Sequence, residues 1–315
     1  MKIVIVTPAA AHSRHGNRNT AARWAALLRQ LGHRVTVQVA WDEAAADVMI
    51  ALHARRSHES VKRFALAHPR RPLILTLTGT DLYRDIRFDA DARESMRLAT
   101  RMIVLQEMGL AELPVPLRAK TRVIYQSTRR IAPQPPLKSC FEVVVSGHLR
   151  EEKDPFRATA ALVYLPEHSR IRVTHIGGAM SPQMAETARA WAARDPRYHW
   201  LGEVAHGKAL QILARSRVMV ISSRMEGGAN VVSEALAAGV PVIASRISGN
   251  IGMLGKHYAG YYPLEDERAL ARLLWRAESD PAFYRKLKTQ CRQRRVRVAP
   301  RRERDGLKRL LAEVV

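Results

Sequence analysis

Short β-branched apolar runs alternate with helical stretches along the whole chain, and this alternation restricts the fold more than any other feature. In the first half the runs are KIVIVT, HRVTVQV, DVMIAL, PLILTLT, MIVLQ and RVIYQ; in the second they are FEVVVS, RVTHIG, YHWLG, RVMVIS and PVIAS. Such continuous runs suit strands buried on both faces, and strands separated by helices pair in parallel with helices on either side. TAARWAALLRQLGHRV is the clearest helix, with apolar residues at helical spacing and Gly32 to end it. Each half opens on an apolar strand, a polar glycine-containing loop and a helix. The expected architecture is α/β, two Rossmann-like domains in tandem, with parallel sheets facing a central cleft at the carboxyl ends of their strands.

IAPQPPLKS, with Pro133, Pro135 and Pro136, supports neither a helix nor a central strand and reads as a linker. The expected division is an N-terminal domain over 1–131, a linker over 132–138 and a C-terminal domain over 139–299. Pro300 breaks the C-terminal basic stretch, and a last helix within 300–315 is expected to return to the first domain. No apolar run approaches the ~20 residues of a membrane span. The two cysteines, Cys140 and Cys291, lie in no spacing pattern, so neither a disulfide framework nor a zinc site is expected and the cytoplasm is the default compartment.

The chain of 315 residues carries a net charge of +23, which suits nucleic acid, an anionic membrane surface or small anionic substrates. Its densest basic run, RQRRVRVAPRRER, has no interleaved aromatics, and 6% aromatic content offers few platforms for stacking bases. Nucleic acid is therefore not an expected partner. Background arginine usage explains a dispersed charge equally well.

EGGANVVSEALAAGVPVIAS, Glu226 to Ser245, is the segment richest in chemistry. It reads as loop, helix and strand, with Asn230 capping the helix and Gly239 ending it. Amides at a helix start attract phosphate, and Gly227 and Gly228 let a ligand approach the backbone. Glu226 lies in the loop, and Glu234 lies about one turn into the helix with its carboxylate directed back toward the same ligand. Carboxylates beside an anion need neutral donors, and vicinal sugar hydroxyls supply them. A nucleotide-sugar offers a diphosphate between two polyhydroxy rings. The competing reading is an ordinary strand–loop–helix with two solvated glutamates.

In FEVVVSGHLREEKDPF the strand ends at Gly147, and His148, Arg150 and Lys153 follow, placed to hold a diphosphate and stabilise it as it leaves. HIGGAM contributes Gly177 as a turn that walls the nucleotide pocket. TLTGTDLYRD brings Gly79, Thr80 and Asp81 to the end of a first-domain strand, where Asp81 either orients an acceptor or caps a helix. PAAAHSRHGNRNTA carries His12, Arg14, His15, Gly16, Asn17 and Arg18, a cationic loop for an anionic second substrate. Asp89 and Asp91 form a D-x-D pair that reads better as a helix start than as a metal grip. No G-x-G-x-x-G, P-loop or G-x-S-x-G occurs, which counts against dinucleotide, NTPase and serine-hydrolase readings.

These motifs together resemble the GT-B retaining glycosyltransferases of the family-four type, over nearly the whole chain. The resemblance rests on EGGANVVSEALAAGVPVIAS, SGHLREEKD, GHRVTV and TGTD. It implies that Glu226 contacts the donor sugar, that Glu234 binds the ribose, and that amides around Gly227, Gly228, Ala229 and Asn230 cradle sugar and diphosphate. The family's G-R-L-x-x-x-K pattern is met at Lys153 but has His148 in place of arginine, with Arg150 nearby. Its H-G-x-D pattern reads Thr78-Gly79-Thr80-Asp81, without the histidine. The catalytic candidates are Lys153, Arg150, Glu226 and Asp81, with no metal ligand and no cofactor beyond the UDP-sugar co-substrate.

HSRHGNRNTAARWA and LTGTDLYRDI further resemble the selenosugar synthases of selenoneine biosynthesis. That resemblance implies a UDP-sugar donor, typically UDP-N-acetylglucosamine, and selenophosphate as acceptor. Selenophosphate brings its own soft nucleophile, so no general base is needed, and its charge calls for a cationic pocket. Two alternatives stand: a conventional retaining transferase with a lipid, thiol or small polyol acceptor, and a basic nucleic-acid binder on a degenerate transferase scaffold.

Overall fold

All eleven expected runs form strands in a computed structural model that describes residues 1–9 and 16–314. The chain divides into unit 1, comprising Met1–Ser127, Glu226–Gly228 and Pro300–Val315, and unit 2, comprising Thr128–Met225 and Ala229–Ala299. The Pro-rich 132–138 stretch contains neither helix nor strand.

Unit 1 is built on β1 (Lys2–Val6), β2 (Arg34–Gln38), β3 (Val48–Leu52), β4 (Leu73–Leu77), β5 (Arg101–Val104) and β6 (Thr121–Val123). They form one parallel sheet in the order β2-β1-β3-β4-β5-β6. The register sets Ile5 beside Ile50 and Ile50 beside Ile74. Alternate residues therefore share a face. Ile3, Ile5, Ile50, Ile74 and Ile103 pack with Trp24 and Leu28 of helix Gly16–Gln30 and with Leu307, Leu310 and Leu311 of helix Pro300–Ala312. Val4, Met49, Leu75 and Met102 pack on the other face with Phe64 of helix His58–Ala67 and Met96 of helix Ala90–Leu98. Asp89 caps that last helix, accepting from the Ala92 amide at 2.8 Å.

Unit 2 is built on β7 (Phe141–Ser146), β8 (Ile171–Ile176), β9 (Tyr198–Trp200), β10 (Val218–Ile221), β11 (Val242–Ser245) and β12 (Tyr261–Tyr262). All pair in parallel, in the order β12-β11-β10-β7-β8-β9. The two-residue β12 was not expected: Tyr261-Tyr262 is too short to carry a periodicity, and only its pairing with Ala244 and Ser245 makes it a strand. In each sheet the winding reverses once, between β1 and β3 in unit 1 and between β7 and β10 in unit 2. Ligands of doubly wound sheets bind outside the carboxyl ends of strands at this reversal.

The C-terminal helix is seated in unit 1 by a buried carboxylate. Glu303 accepts from Trp24 Nε1 at 2.6 Å, from Arg23 Nε at 2.9 Å and from the Ser127 amide at 2.9 Å, and also from the Ser127 hydroxyl. Pro300 starts this helix, where its missing N–H costs nothing. No described helix is long and apolar enough to cross a membrane.

Removing the Glu303 carboxylate strands the buried donors Trp24 Nε1 and Ser127 N. Glu303→Ala is expected to lower stability by about 3 kcal/mol, with amides of the C-terminal helix losing hydrogen-exchange protection first. A change within experimental error in both measurements would show that these bonds do not hold the helix.

Candidate functional site

At the reversal point of unit 2, the carboxyl ends of β7 and β10 border a small pocket lined by Ser146, Gly147, His148, Lys153, His175, Ser222 and Ser223, among others. Glycine is required behind the lining residue Gly147. Gly177 has φ +147°, and a Cβ there would stand 2.0 Å from the Gly147 carbonyl oxygen. The Gly147 amide donates to the Ile176 carbonyl at 2.8 Å, so the loops after β7 and β8 lie backbone against backbone.

His175 fixes Gly147 from below. It is 1% exposed, with Nε2 3.3 Å from the Gly147 carbonyl and Nδ1 3.1 Å from the Tyr198 hydroxyl. A carbonyl only accepts, so Nε2 carries the proton and Nδ1 accepts from tyrosine. Burial pushes this imidazole down to about 4, with the Gly147 contact acting weakly the other way.

The loops after β7, β10 and β11 are tied to one another. Arg224 N donates to the Glu152 carbonyl at 2.9 Å, joining the β10 loop to the β7 loop. Ser245 Oγ donates to the Ser223 carbonyl at 2.7 Å, and Asn250 Nδ2 to the Ser245 carbonyl at 2.9 Å. Lys153 closes a 3-10 turn, Glu151–Lys153, and Asp154 follows at φ +44°. The Asp154 carboxylate holds Arg157 at 2.8 Å, and Arg157 also binds Glu267 at 2.5 Å. That arginine is thereby committed to the scaffold, while Lys153, His148 and His175 line the pocket. Arg150 is exposed and does not line it.

The helix Asn230–Ala238 begins with Asn230 as its first residue. Ala229 occupies the cap position without a side-chain bond, which corrects the expectation that Asn230 is the cap. Its first turn carries no acidic residue, so the positive end of the helix is not neutralised from within that turn. Gly239 ends it at φ +77°. Glu234 is largely buried, with Oε1 3.8 Å from Nε2 of the exposed His206.

Glu226, Gly227 and Gly228 belong to unit 1. Glu226 is 8% exposed. A Cβ on Gly227 would stand 1.8 Å from the Thr78 carbonyl oxygen, and one on Gly228 would stand 2.5 Å from Leu105 Cβ. The two glycines are thus demanded by packing as well as by any ligand. Gly79 and Thr80 are half-buried in the turn after β4. Asp81 is fully buried: Oδ1 accepts from the Thr78 and Gly79 amides at 2.9 and 2.8 Å, and Oδ2 from the Ala54 amide at 3.0 Å. Its carboxylate organises the loop rather than facing solvent. Gly16, Asn17 and Arg18 form the first turn of helix Gly16–Gln30, whereas His12, Arg14 and His15 lie outside the described residues.

One unit 1 residue was missed. His53 directly follows β3 with φ +79°, is 2% exposed, and has Nε2 3.0 Å from Thr80 Oγ1. Burial pushes its imidazole below the usual histidine range, against the opposing charge of Asp81. The available signal was a histidine standing right after the apolar run DVMIAL.

Residues 129–294, just over half of the chain, match the family model for glycosyl transferases group 1, and the chain belongs to that family. A 115-residue stretch is 31% identical to glycogen synthase of Mycobacterium tuberculosis (strain ATCC 25618 / H37Rv), covering 34% of this chain and 26% of that protein. In fold the chain is similar to Anabaena Alr3699/HepE in complex with UDP, with a TM-score of 0.81 at 16% identity over 99% of this chain and 100% of that one. Sucrose-phosphate synthase from Thermosynechococcus elongatus gives a TM-score of 0.79 at 17% identity, over 99% and 98% of the two chains. The two parallel sheets with their helices are the GT-B architecture of these glycosyltransferases.

Gly227→Ala must displace the Thr78 turn or its own loop. It is expected to cost about 2 kcal/mol in stability, readable by thermal melting. A variant that melts like wild type would show that the contact yields freely. His175 supplies an acid sensitivity. Its folded-state value lies below the unfolded 6.5, so stability is full above about pH 6.5 and falls by about 3 kcal/mol as the pH drops to about 4. Urea midpoints across that range should show a shallower slope in His175→Gln; equal slopes would remove the assignment.

Proposed function

We propose that this glycosyltransferase uses a UDP-sugar, with UDP-N-acetylglucosamine as the first donor to test, and transfers the sugar to selenophosphate. Selenium attacks the anomeric carbon and forms a C–Se bond, UDP leaves with the electron pair of the broken C–O bond, and hydrolytic loss of phosphate leaves a 1-seleno sugar. The observation carrying the donor half is the pocket at the β7/β10 reversal, glycine-walled and lined by Lys153 and His148. It supports a diphosphate: backbone can approach it closely, and two basic side chains meet its charge. HepE, similar in fold, has been crystallised with UDP and with UDP-glucose. The acceptor half rests on the resemblance of HSRHGNRNTAARWA and LTGTDLYRDI to selenosugar synthases.

In this reading Lys153 neutralises the charge growing on the leaving diphosphate, and the exposed Arg150, outside the pocket lining, would act only by moving toward it. The start of helix Asn230–Ala238 supplies amides to the same charge. Glu234 accepts from the ribose hydroxyls and Glu226 from the donor sugar. Cations and amides suffice for the diphosphate, so no metal is invoked, and the cytoplasm is where sugar nucleotides and selenophosphate are both at hand.

The test is incubation of the purified protein with UDP-N-acetylglucosamine and either selenophosphate or buffer, in EDTA, with products followed by mass spectrometry. A selenium-bearing sugar formed with UDP, only when selenophosphate is present, is expected. UDP release or binding without a selenosugar would overturn the acceptor and favour a conventional one. Lys153→Ala is expected to lower kcat about 100-fold with a smaller effect on UDP affinity, because the diphosphate charge grows in the transition state. Glu234→Ala is expected to weaken UDP binding about tenfold; unchanged UDP affinity would remove the ribose assignment.

A further inference from the structure

The carboxyl edge of unit 1 holds a polar device centred on His53, a residue with no part in the proposed donor chemistry. Its sheet reverses between β1 and β3, the place where a doubly wound sheet receives its ligand. The first residue past β3 is His53, a non-glycine residue at φ +79°. Such a backbone costs of order 1 kcal/mol or more and persists where the surroundings hold it, commonly at functional sites. Here the surroundings are explicit. The Asp81 carboxylate takes the Ala54 amide at 3.0 Å, Ser57 Oγ donates to the Leu52 carbonyl at 2.7 Å, and the Arg56 amide donates to His53 Nδ1 at 3.3 Å.

That last bond fixes the tautomer. With Nδ1 accepting, the proton of the neutral ring sits on Nε2, which faces Thr80 Oγ1 at 3.0 Å. Thr80 therefore accepts from His53, and its own proton is directed elsewhere. His53 is 2% exposed while Thr80 is half-buried, so the hydroxyl and not the ring is the member of the pair a ligand can meet. Thr80 stands at the head of a π-helical turn, Asp81–Asp85, a local irregularity that recurs at functional sites. Across the reversal, β1 runs into Thr7, whose fully buried hydroxyl has no hydrogen-bond partner among the described residues.

We propose that His53 is a positioning residue that orients the Thr80 hydroxyl as a hydrogen-bond donor to an anionic oxygen of the acceptor at the β1/β3 reversal. This rests on the reading of the chain as a transferase with a small anionic acceptor. A hydroxyl free to rotate would spend part of its time donating to its own loop; the imidazole removes that freedom without adding charge. The arrangement also supplies what the Thr78 position lacks, since a histidine from the neighbouring strand reaches the same turn through Thr80.

The experiment is a double-mutant cycle on the full chain, measuring KM for selenophosphate, KM for UDP-N-acetylglucosamine and the Kd of UDP. The variants are Thr80→Val, Thr80→Ser, His53→Asn and the pair His53→Asn/Thr80→Val. Asparagine tolerates positive φ but is too short to reach Thr80 as Nε2 does. Thr80→Val and His53→Asn are each expected to raise KM for selenophosphate about tenfold, the pair no further than Thr80→Val alone, and Thr80→Ser to recover most of the loss. The Kd of UDP should not move. Additive effects, no change in KM for selenophosphate, or equal losses toward donor and acceptor would overturn the role. If His53→Asn melts early, the Thr80→Val and Thr80→Ser comparison still decides, because both act at a half-buried position. A wild-type protein that binds UDP but forms no selenosugar would instead remove the acceptor reading itself, and this inference with it.

Discussion

The carboxyl edge of unit 1 depends on one buried carboxylate. Asp81 has no exposed surface, and its oxygens collect amides from two separate loops, Thr78 and Gly79 in its own turn and Ala54 after β3. Removing a buried acceptor that satisfies three amides strands all three. Through Ala54 the same carboxylate steadies His53 in its left-handed backbone, and through Thr78 it sets the carbonyl against which Gly227 must pack. The geometry around Glu226 is thus inherited from a side chain that touches solvent nowhere.

Part of the basic content of this chain serves as scaffolding. Lys120 Nζ donates to the Met96 and Ala99 carbonyls at 2.8 and 2.7 Å, at the end of helix Ala90–Leu98. Arg294 donates to the Gly252 and Met253 carbonyls, Arg29 to Val35 and Arg118 to Leu113. Arg101 and Arg122 share Glu313, and Arg215 holds the buried Glu142 with two bonds at 2.9 Å. Unpaired carbonyls at helix ends and in loops attract cations, and a guanidinium meets them with a fixed fork of donors. A cation spent on a carbonyl keeps its formal charge but loses its freedom to seek a partner.

The sheets were legible in the sequence because burial on both faces leaves continuous β-branched runs such as VMIAL and LILTL. Tyr261-Tyr262 left no such mark, since two residues define no period and only the neighbouring Ala244 and Ser245 make them a strand. Gly147, His148 and Lys153 were readable because they follow a strand end, and that position alone puts them at the pocket. Asn230 misled as a cap: it is a residue type suited to the role, but the loop before it, set by Gly227 and Gly228, brings Ala229 to the cap position. His53 went unread because its meaning lies in a contact with Thr80 across 27 positions, which no local pattern announces.

The glycines show why motif and mechanism are not the same statement. Gly227 and Gly228 read as glycines for a ligand, yet each is already demanded by Thr78 and Leu105. Gly177 is likewise demanded by the Gly147 carbonyl before any diphosphate is considered. Close packing and close approach of a ligand call for the same missing Cβ. A loop that must lie flat against a neighbouring backbone also keeps its remaining amides in a fixed direction. Such fixed dipoles need not reorganise as charge develops, which is the property electrostatic stabilisation of a leaving diphosphate requires. In the proposed reaction, packing and chemistry call for the same residues through a single constraint, the rigidity of the backbone at the strand ends.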